Sequence, residues 1–281
     1  MSKADLVFIK MCEDILVNGY SSEGQDVRPR WEDGTPAHTI KMFGVVNRYD
    51  LQDEFPILTL RPTNLEATID EILWIWQKKS NKVSELNSKI WDAWTDEQGT
   101  IGKAYGYQLG RLIEFPEGTM DQVDWILLSL KNNPFGRRMI TNLFNHDDLK
   151  DMGLHPCAYS ITLNVTGDKL NMILNQRSQD ILVANNWNVC QYAILLHMFS
   201  IYAGLEAGEL VHVIADAHIY DKHVGLVKEL IARESYPAPL LKINPDLNKS
   251  TANVFYKFTV NDFELIGYKA GKQIKKIPVA V

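Results

Sequence analysis

Three kinds of side chain in this sequence could do chemistry together: a thiol, a set of arginines, and amides or imidazoles able to read a heterocycle. The thiol is Cys157, in the run His155-Pro156-Cys157-Ala158, after a proline and two residues beyond an imidazole. A thiolate is the nucleophilic form of cysteine, and a nearby cation favours it. Arg177, on the return strand of a hairpin that Cys157 enters, is the candidate cation. A stray cysteine is more often a small buried hydrophobe, and Cys12 and Cys190, set in apolar helical patterns, are read that way.

The arginines point to an anion. Arg137 and Arg138 follow Asn133-Pro134 and read either as a solvated turn or as an anion-binding pair. Arg177-Ser178 closes an apolar strand, where a charge must find a partner. Guanidinium forks match phosphate oxygens and a serine hydroxyl adds a donor, so a phosphomonoester fits. The acid-rich balance, with a formal net charge of −6, argues against a general nucleic-acid binder and for a small anionic ligand. Asn188 reads either as a helix N-cap or as a base reader, because its amide offers the donor–acceptor pair that the N3–H and O4 edge of uracil requires. Gln176 and Asp180 flank the arginine cluster. His218 and Tyr220 alternate on an extended segment, share one face and suit a ribose hydroxyl.

The elements that must position these groups follow from periodicity. Residues 4–19 are helical in pattern, and 20–40 form a loop entering a strand at Thr39–Asn47. Helices are expected at Glu66–Lys78 and at Asp121–Asn132, the latter closed by Asn133-Pro134. Ser160–Val165 and Lys169–Asn175 alternate about Thr166-Gly167-Asp168, a hairpin. Leu210–Ile214 is a strand, Asp221–Glu234 a helix, and Phe255–Leu265 mixes strand and turn. Val189–Leu205 is apolar nearly all round. It contains Gln191, His197 and Ser200 and is too short for a bilayer, so it reads as a buried central helix ended by Gly204. Strands interleaved with helices without regular βαβ alternation indicate an α+β fold, a mixed and mostly antiparallel sheet packed against helices.

At 281 residues, 46% hydrophobic and 23% charged, the chain can bury a large core, and no linker or repeat divides it, so one domain over 1–281 is expected. Three scattered cysteines support neither a disulfide framework nor a metal site. Asp5 lies where a secretion signal would be basic, which suggests a cytoplasmic protein.

The order of the motifs resembles the thymidylate synthase family nearly end to end. The resemblance rests on Phe55–Thr59, Glu71–Trp74, Ile90–Trp94, Ala104–Gln108, Asn133-Pro134 with Arg137-Arg138, Pro156-Cys157, Gln176–Ser178, Asp216 with His218 and Tyr220, Lys242–Pro245, Asp262–Leu265 and Pro278–Val281. It implies an α+β homodimer, joined through a sheet face, that methylates dUMP to dTMP with 5,10-methylenetetrahydrofolate as co-substrate and without a metal or nucleic acid.

Carried onto this chain, the family's chemistry implies Cys157 as nucleophile at uracil C6, Glu71 as proton carrier and Tyr105 as helper in removing the C5 proton, with Arg177 beside the thiol. The phosphate would be held by Arg28, Arg177 and Ser178, joined by Arg137 and Arg138 in trans. Gln176, Asp180 and Asn188 would face the nucleotide, with His218 and Tyr220 on its 3′-hydroxyl. Arg61, Asn64, Trp91, Trp94, Asp180, Val183 and Ala280 would form the folate site, the C-terminal Ala280-Val281 closing over the ligands. The chain departs from the family's usual pattern in places. A longer loop offers both Arg28 and Arg30, Ala158 stands where histidine follows the nucleophile, Arg61 replaces lysine, Asn64 replaces histidine, and Ala184–Asn188 keeps only the asparagine of its motif. A hydroxymethylase of the same fold would be expected to lose Trp91 or the C-terminal closure. A non-catalytic nucleotide- or RNA-binding regulator would have no need of Cys157, Glu71 and Tyr105 together.

Overall fold

A computed structural model describes residues 1–244, 246 and 253–280; Pro245 and Val281 of the motifs above lie outside the described residues. Its frame is a seven-stranded sheet. The strands are β1 (Tyr20–Ser21), β2 (Thr39–Asp50), β5 (Ile140–Asn142), β6 (Ala158–Thr166), β7 (Lys169–Gln176), β8 (Gln179–Asp180) and β9 (Glu206–Tyr220). Two further strand pairs lie apart: β3 (Ile113–Phe115) with β4 (Gly118–Met120), and β10 (Leu240–Ile243) with β11 (Phe263–Ile266). The helices are α1 (Lys3–Asn18), α2 (Leu65–Trp76), α3 (Gly106–Gly110), α4 (Gln122–Asn132), α5 (Asn185–Ala203) and α6 (Val224–Ile231).

The sheet runs β1-β2-β9-β7-β6-β5, with β8 against β9. All its pairings are antiparallel except those of β9 with β7 and β8. The exception has a cause in connectivity: α5 carries the chain from β8 across the sheet and back, and such a crossover delivers a parallel strand. The expected mixed, mostly antiparallel sheet is what forms.

Helix α5 is the centre of the core. Trp76 of α2 meets Phe199 edge-on at 5.9 Å between ring centroids, and Phe199 stacks on Phe255 at 4.7 Å. Residues 189 and 190, 192–196, 198 and 199 of α5 are buried on every side, and Gly204 ends the helix at φ 68°, a left-handed C-cap that glycine adopts without strain. Among the described residues no helix is long and apolar enough to cross a membrane.

Boundaries differ from the sequence reading where polar residues find distant partners. Helix α5 begins at Asn185 rather than Val189, because the buried Asn186 amide is satisfied by Pro56 O at 3.1 Å, Leu58 N at 3.1 Å and Thr63 Oγ1 at 2.7 Å. Asn188 therefore lies inside the first turn, and the N-cap is Ala184; the helix-cap alternative for Asn188 is excluded. Strand β9 continues through Asp216, His218 and Tyr220, whose polar side chains line a basin that periodicity cannot show. The expected helix over Asp221–Glu234 is a 3-10 turn at Asp221–His223 followed by the shorter α6.

Candidate active site

Glu71 sits on the buried side of α2, 5% exposed. Three N–H donors converge on its carboxylate: Trp91 Nε1 on Oε1 at 2.8 Å, and Trp187 Nε1 at 2.5 Å and Gln191 Nε2 at 2.8 Å on Oε2. Burial pushes its pKa up and the three donors pull it back, leaving it at about 7. A carboxyl balanced there can take and return a proton near neutral pH.

Cys157 precedes β6 at the mouth of the hairpin. Across it, Arg177 is locked by its own backbone N–H on Cys157 O at 3.0 Å, by Nε on Pro156 O at 3.0 Å and by Nη2 on His155 O at 2.7 Å. Its Nη2 stands 3.8 Å from Cys157 Sγ. The sequence expectation of a thiol lowered by Arg177 holds in sign only. Burial pushes the Cys157 thiol up and the guanidinium offsets part of that, so the group lies above the ordinary thiol range. The backbone N–H of Cys157 donates to the Tyr105 hydroxyl at 3.1 Å. Tyr105 has φ 45° and ψ −105°, a strained conformation for a residue with a side chain, and its ring packs on Trp91 at 5.1 Å. The next residue, Gly106, allows this turn: a Cβ there would come within 2.3 Å of Ser80 O.

Cys157 lies where two cavities meet. One, of about 450 Å³, is walled by Trp91, Trp94, Ile90, Leu154, Tyr192 and Trp187, with Arg61 and Asn64 at its rim. The other, of about 1090 Å³, holds Arg28, Lys41, Arg177, Ser178, Asp180, His218 and Tyr220. Cys157, Asn188, Trp94 and Val183 face both. The first has the flat aromatic walls that suit a heterobicycle, and the second the cations and hydroxyls that suit a sugar phosphate. Among the described residues no group of three or more His, Cys, Asp or Glu side chains could hold a metal ion.

Within the larger basin, His218 Nδ1 is 2.8 Å from Asp216 Oδ1, and Lys41 Nζ is 3.0 Å from Asp216 Oδ2. The His218 and Tyr220 rings touch edge to face at 5.0 Å, as their alternation on one face implied. Arg28 lines the basin, whereas Arg30 folds back onto the carbonyls of its own loop.

Asn188 is bracketed by amides. Gln176 Nε2 donates to Asn188 Oδ1 at 3.3 Å, and Asn188 Nδ2 donates to Gln191 Oε1 at 3.0 Å. Gln176 itself is 1% exposed and lines neither cavity; it stands behind Asn188, bonded also to Gln179 and His212. Asp180 and Ala280 line the larger basin rather than the aromatic pocket, and Asp180 Oδ1 accepts from Leu182 N at 3.0 Å and Val183 N at 3.1 Å. Arg137 and Arg138 are exposed and line neither cavity of their own chain.

Sequence reasoning missed Trp187, Gln191 and Lys41. Gln191 carried a signal, since an amide inside an otherwise apolar helix must find a buried partner. Lys41 could be found only from register, directly across from His218 in the β2–β9 pairing.

The thymidylate synthase family profile matches residues 6–281. The chain is 44% identical to a thymidylate synthase of Bacillus phage phi3T over 279 residues, 98% of each chain. It is 43% identical to thymidylate synthase 1 of Bacillus subtilis strain 168 over the same length and coverage. Among solved structures it superimposes on the thermostable thymidylate synthase A of Bacillus subtilis with a TM-score of 0.93 at 42% identity, covering all of both chains.

Proposed function

The chain belongs to the thymidylate synthase family, and from that premise we propose how its own residues carry the reaction. The activity is reductive methylation of dUMP to dTMP. 5,10-Methylenetetrahydrofolate supplies the one-carbon unit and the hydride and leaves as dihydrofolate. The aromatic pocket fits that co-substrate in shape and chemistry: Trp91, Trp94 and Val183 offer flat apolar walls, Asn64 an amide, and Arg61 a cation where anionic groups of a tail would emerge.

The nucleotide phosphate takes Arg28, Arg177 and Ser178, together with Arg137 and Arg138 of the partner subunit; His218 and Tyr220 bond the 3′-hydroxyl. Arg28, rather than the self-bonded Arg30, is the loop's phosphate ligand. Asn188 reads the pyrimidine with Gln176 behind it, and Asp180 lies at the border with the pterin. Cys157 passes its proton to solvent, and Sγ, beside the Arg177 guanidinium, adds to C6 as the C5=C6 electron pair forms a bond from C5 to the one-carbon unit. Loss of the C5 proton then lets the folate nitrogen leave, and hydride from the folate reaches the exocyclic methylene as the Sγ–C6 bond breaks and Sγ regains a proton. Glu71 moves protons on the O4 side of the ring, and Tyr105 is the hydroxyl nearest the path of the C5 proton. Ala280 closes the basin; Val281, proposed to close it further, lies outside the described residues.

One observation carries this reading: Cys157 stands at the junction of an aromatic pocket and a cationic basin, 3.8 Å from Arg177, with Glu71 in the same pocket. The retained Trp91 and the C-terminal segment favour methylation over the hydroxymethylase alternative, and the whole of 1–281 is read as one such domain working in the cytoplasm as a homodimer. The test is covalent capture. 5-Fluoro-dUMP with methylenetetrahydrofolate should add a nucleotide-containing mass to wild type, Cys12→Ser and Cys190→Ser but not to Cys157→Ser. Capture persisting in Cys157→Ser would overturn the assignment.

A further inference from the structure

Gln191 has no role in the reaction as derived above. It lies on α5, three residues past Asn188, and is 2% exposed. Its two amide ends are used in opposite senses: Nε2 donates to Glu71 Oε2 at 2.8 Å, and Oε1 accepts from Asn188 Nδ2 at 3.0 Å. Beyond Asn188, Gln176 Nε2 donates to Asn188 Oδ1 at 3.3 Å, and Gln176 Oε1 meets the buried His212 Nε2. Three amides thus stand in a row between a carboxylate and an imidazole, all pointing the same way.

An amide can be turned end for end with little change in shape, so none of the three fixes its own direction. The carboxylate end of the row does. In its ionised form Glu71 only accepts, which turns the NH₂ of Gln191 toward Glu71 and leaves only its oxygen for Asn188. Asn188 must then give an N–H to Gln191 and offer its oxygen to Gln176. At the far end burial holds His212 neutral, with a pKa of about 3, and its Nε2 meets Gln176 Oε1; the Nε2–H tautomer donates there and so agrees with the direction set by Glu71. The remaining N–H and the remaining lone pair of Asn188 are left in assigned places. They complement O4 and N3–H of uracil; the reverse assignment would suit the amino group and bare N3 of cytosine.

We propose that Gln191 is a specificity-positioning residue, passing the acceptor-only character of Glu71 to Asn188 and so fixing the amide polarity that selects uracil over cytosine. This rests on the reading of Asn188 as the base reader.

The test is nucleotide binding to the full-length protein, with Kd for dUMP and for dCMP measured by calorimetry. Gln191→Met keeps length and helix propensity but removes the amide, and Gln191→Leu repeats the test in a second packing. In either variant that melts cooperatively, the preference for dUMP over dCMP should fall roughly five- to tenfold, the scale of one buried polar group losing its partner. Glu71→Gln replaces the acceptor-only end of the row with an amide that can itself turn, so it should lose turnover and also lower the preference for dUMP over dCMP by a similar factor. Asn188→Asp is the control on the underlying reading and should itself shift preference toward dCMP. If Asn188→Asp shifts the preference and the folded Gln191 variants do not, the relay is wrong and the base reader stands. Equal weakening of both nucleotides in the Gln191 variants would also overturn it, as a packing role predicts. If Asn188→Asp leaves the ratio unchanged, the base reading and the relay fail together.

Discussion

At the residue scale, Glu71 is the group whose surroundings matter most. Its carboxyl would ordinarily titrate near 4.5, and burial against the donors leaves it at about 7. Between those values the folded chain holds a proton that the unfolded chain has released. Stability is therefore fully present below about pH 4.5 and falls as pH rises towards 7, by about 3 kcal/mol in all. Glu71→Gln has no such proton to lose. Relative to wild type its stability in urea should improve from pH 5 to about pH 7 and level off above that, while turnover collapses. A constant difference across that range would mean that Glu71 does not titrate in this window.

At the scale of elements, the site depends on places where backbone meets backbone. The 3-10 turn Asp92–Trp94 carries the tryptophan shared by both cavities, and Gly153 packs against it. A Cβ at Gly153 would lie 2.5 Å from Trp94 O, a contact no side-chain rotation can relieve. Gly153→Ala should push the turn outward and raise KM for methylenetetrahydrofolate by roughly tenfold, since displacements near 1 Å at a site cost that much or more. The effect on dUMP should be smaller. Steady-state kinetics with each substrate varied in turn checks this, and equal effects on both would argue against a displaced Trp94 wall.

For the whole molecule, the sheet has one covered and one uncovered face. On the uncovered face, Ile140, Thr162, Ile173, Val211 and Arg48 lie side by side across the strands, and Val46 lies beside them. Ile140, Ile173 and Val46 are 48%, 39% and 52% exposed, an apolar surface of the kind that a second copy covers. Arg137 and Arg138 are exposed and line neither of the two cavities described, and subunit mixing tests the proposed role in trans. Mixing inactive Cys157→Ser with inactive Arg137→Ala under subunit exchange should restore activity toward a quarter of wild type, because half the dimers are then mixed and one of their two sites is whole. No recovery after verified exchange would place Arg137 outside the partner's site.

What the sequence determined by itself was chemistry and class. Cys157, Arg177, Asn188, His218 and Tyr220 stood out as candidates by type and local alternation, the resemblance gave them roles, and the structure gathers them around two adjoining cavities. The hairpin at Thr166-Gly167-Asp168 and the central apolar helix were legible because short-range periodicity encodes them. The start of α5 was not, since three asparagines and a tryptophan read as loop until Pro56, Leu58 and Thr63 arrive from 120 or more residues away to satisfy Asn186. Nor were the clamp of Trp91, Trp187 and Gln191 on Glu71, the thiol raised by burial despite Arg177, or the choice of Arg28 over Arg30 as basin-lining residue. Those depend on desolvation and on which atoms meet across long sequence separations. A string of residue types contains neither until the tertiary structure closes around them.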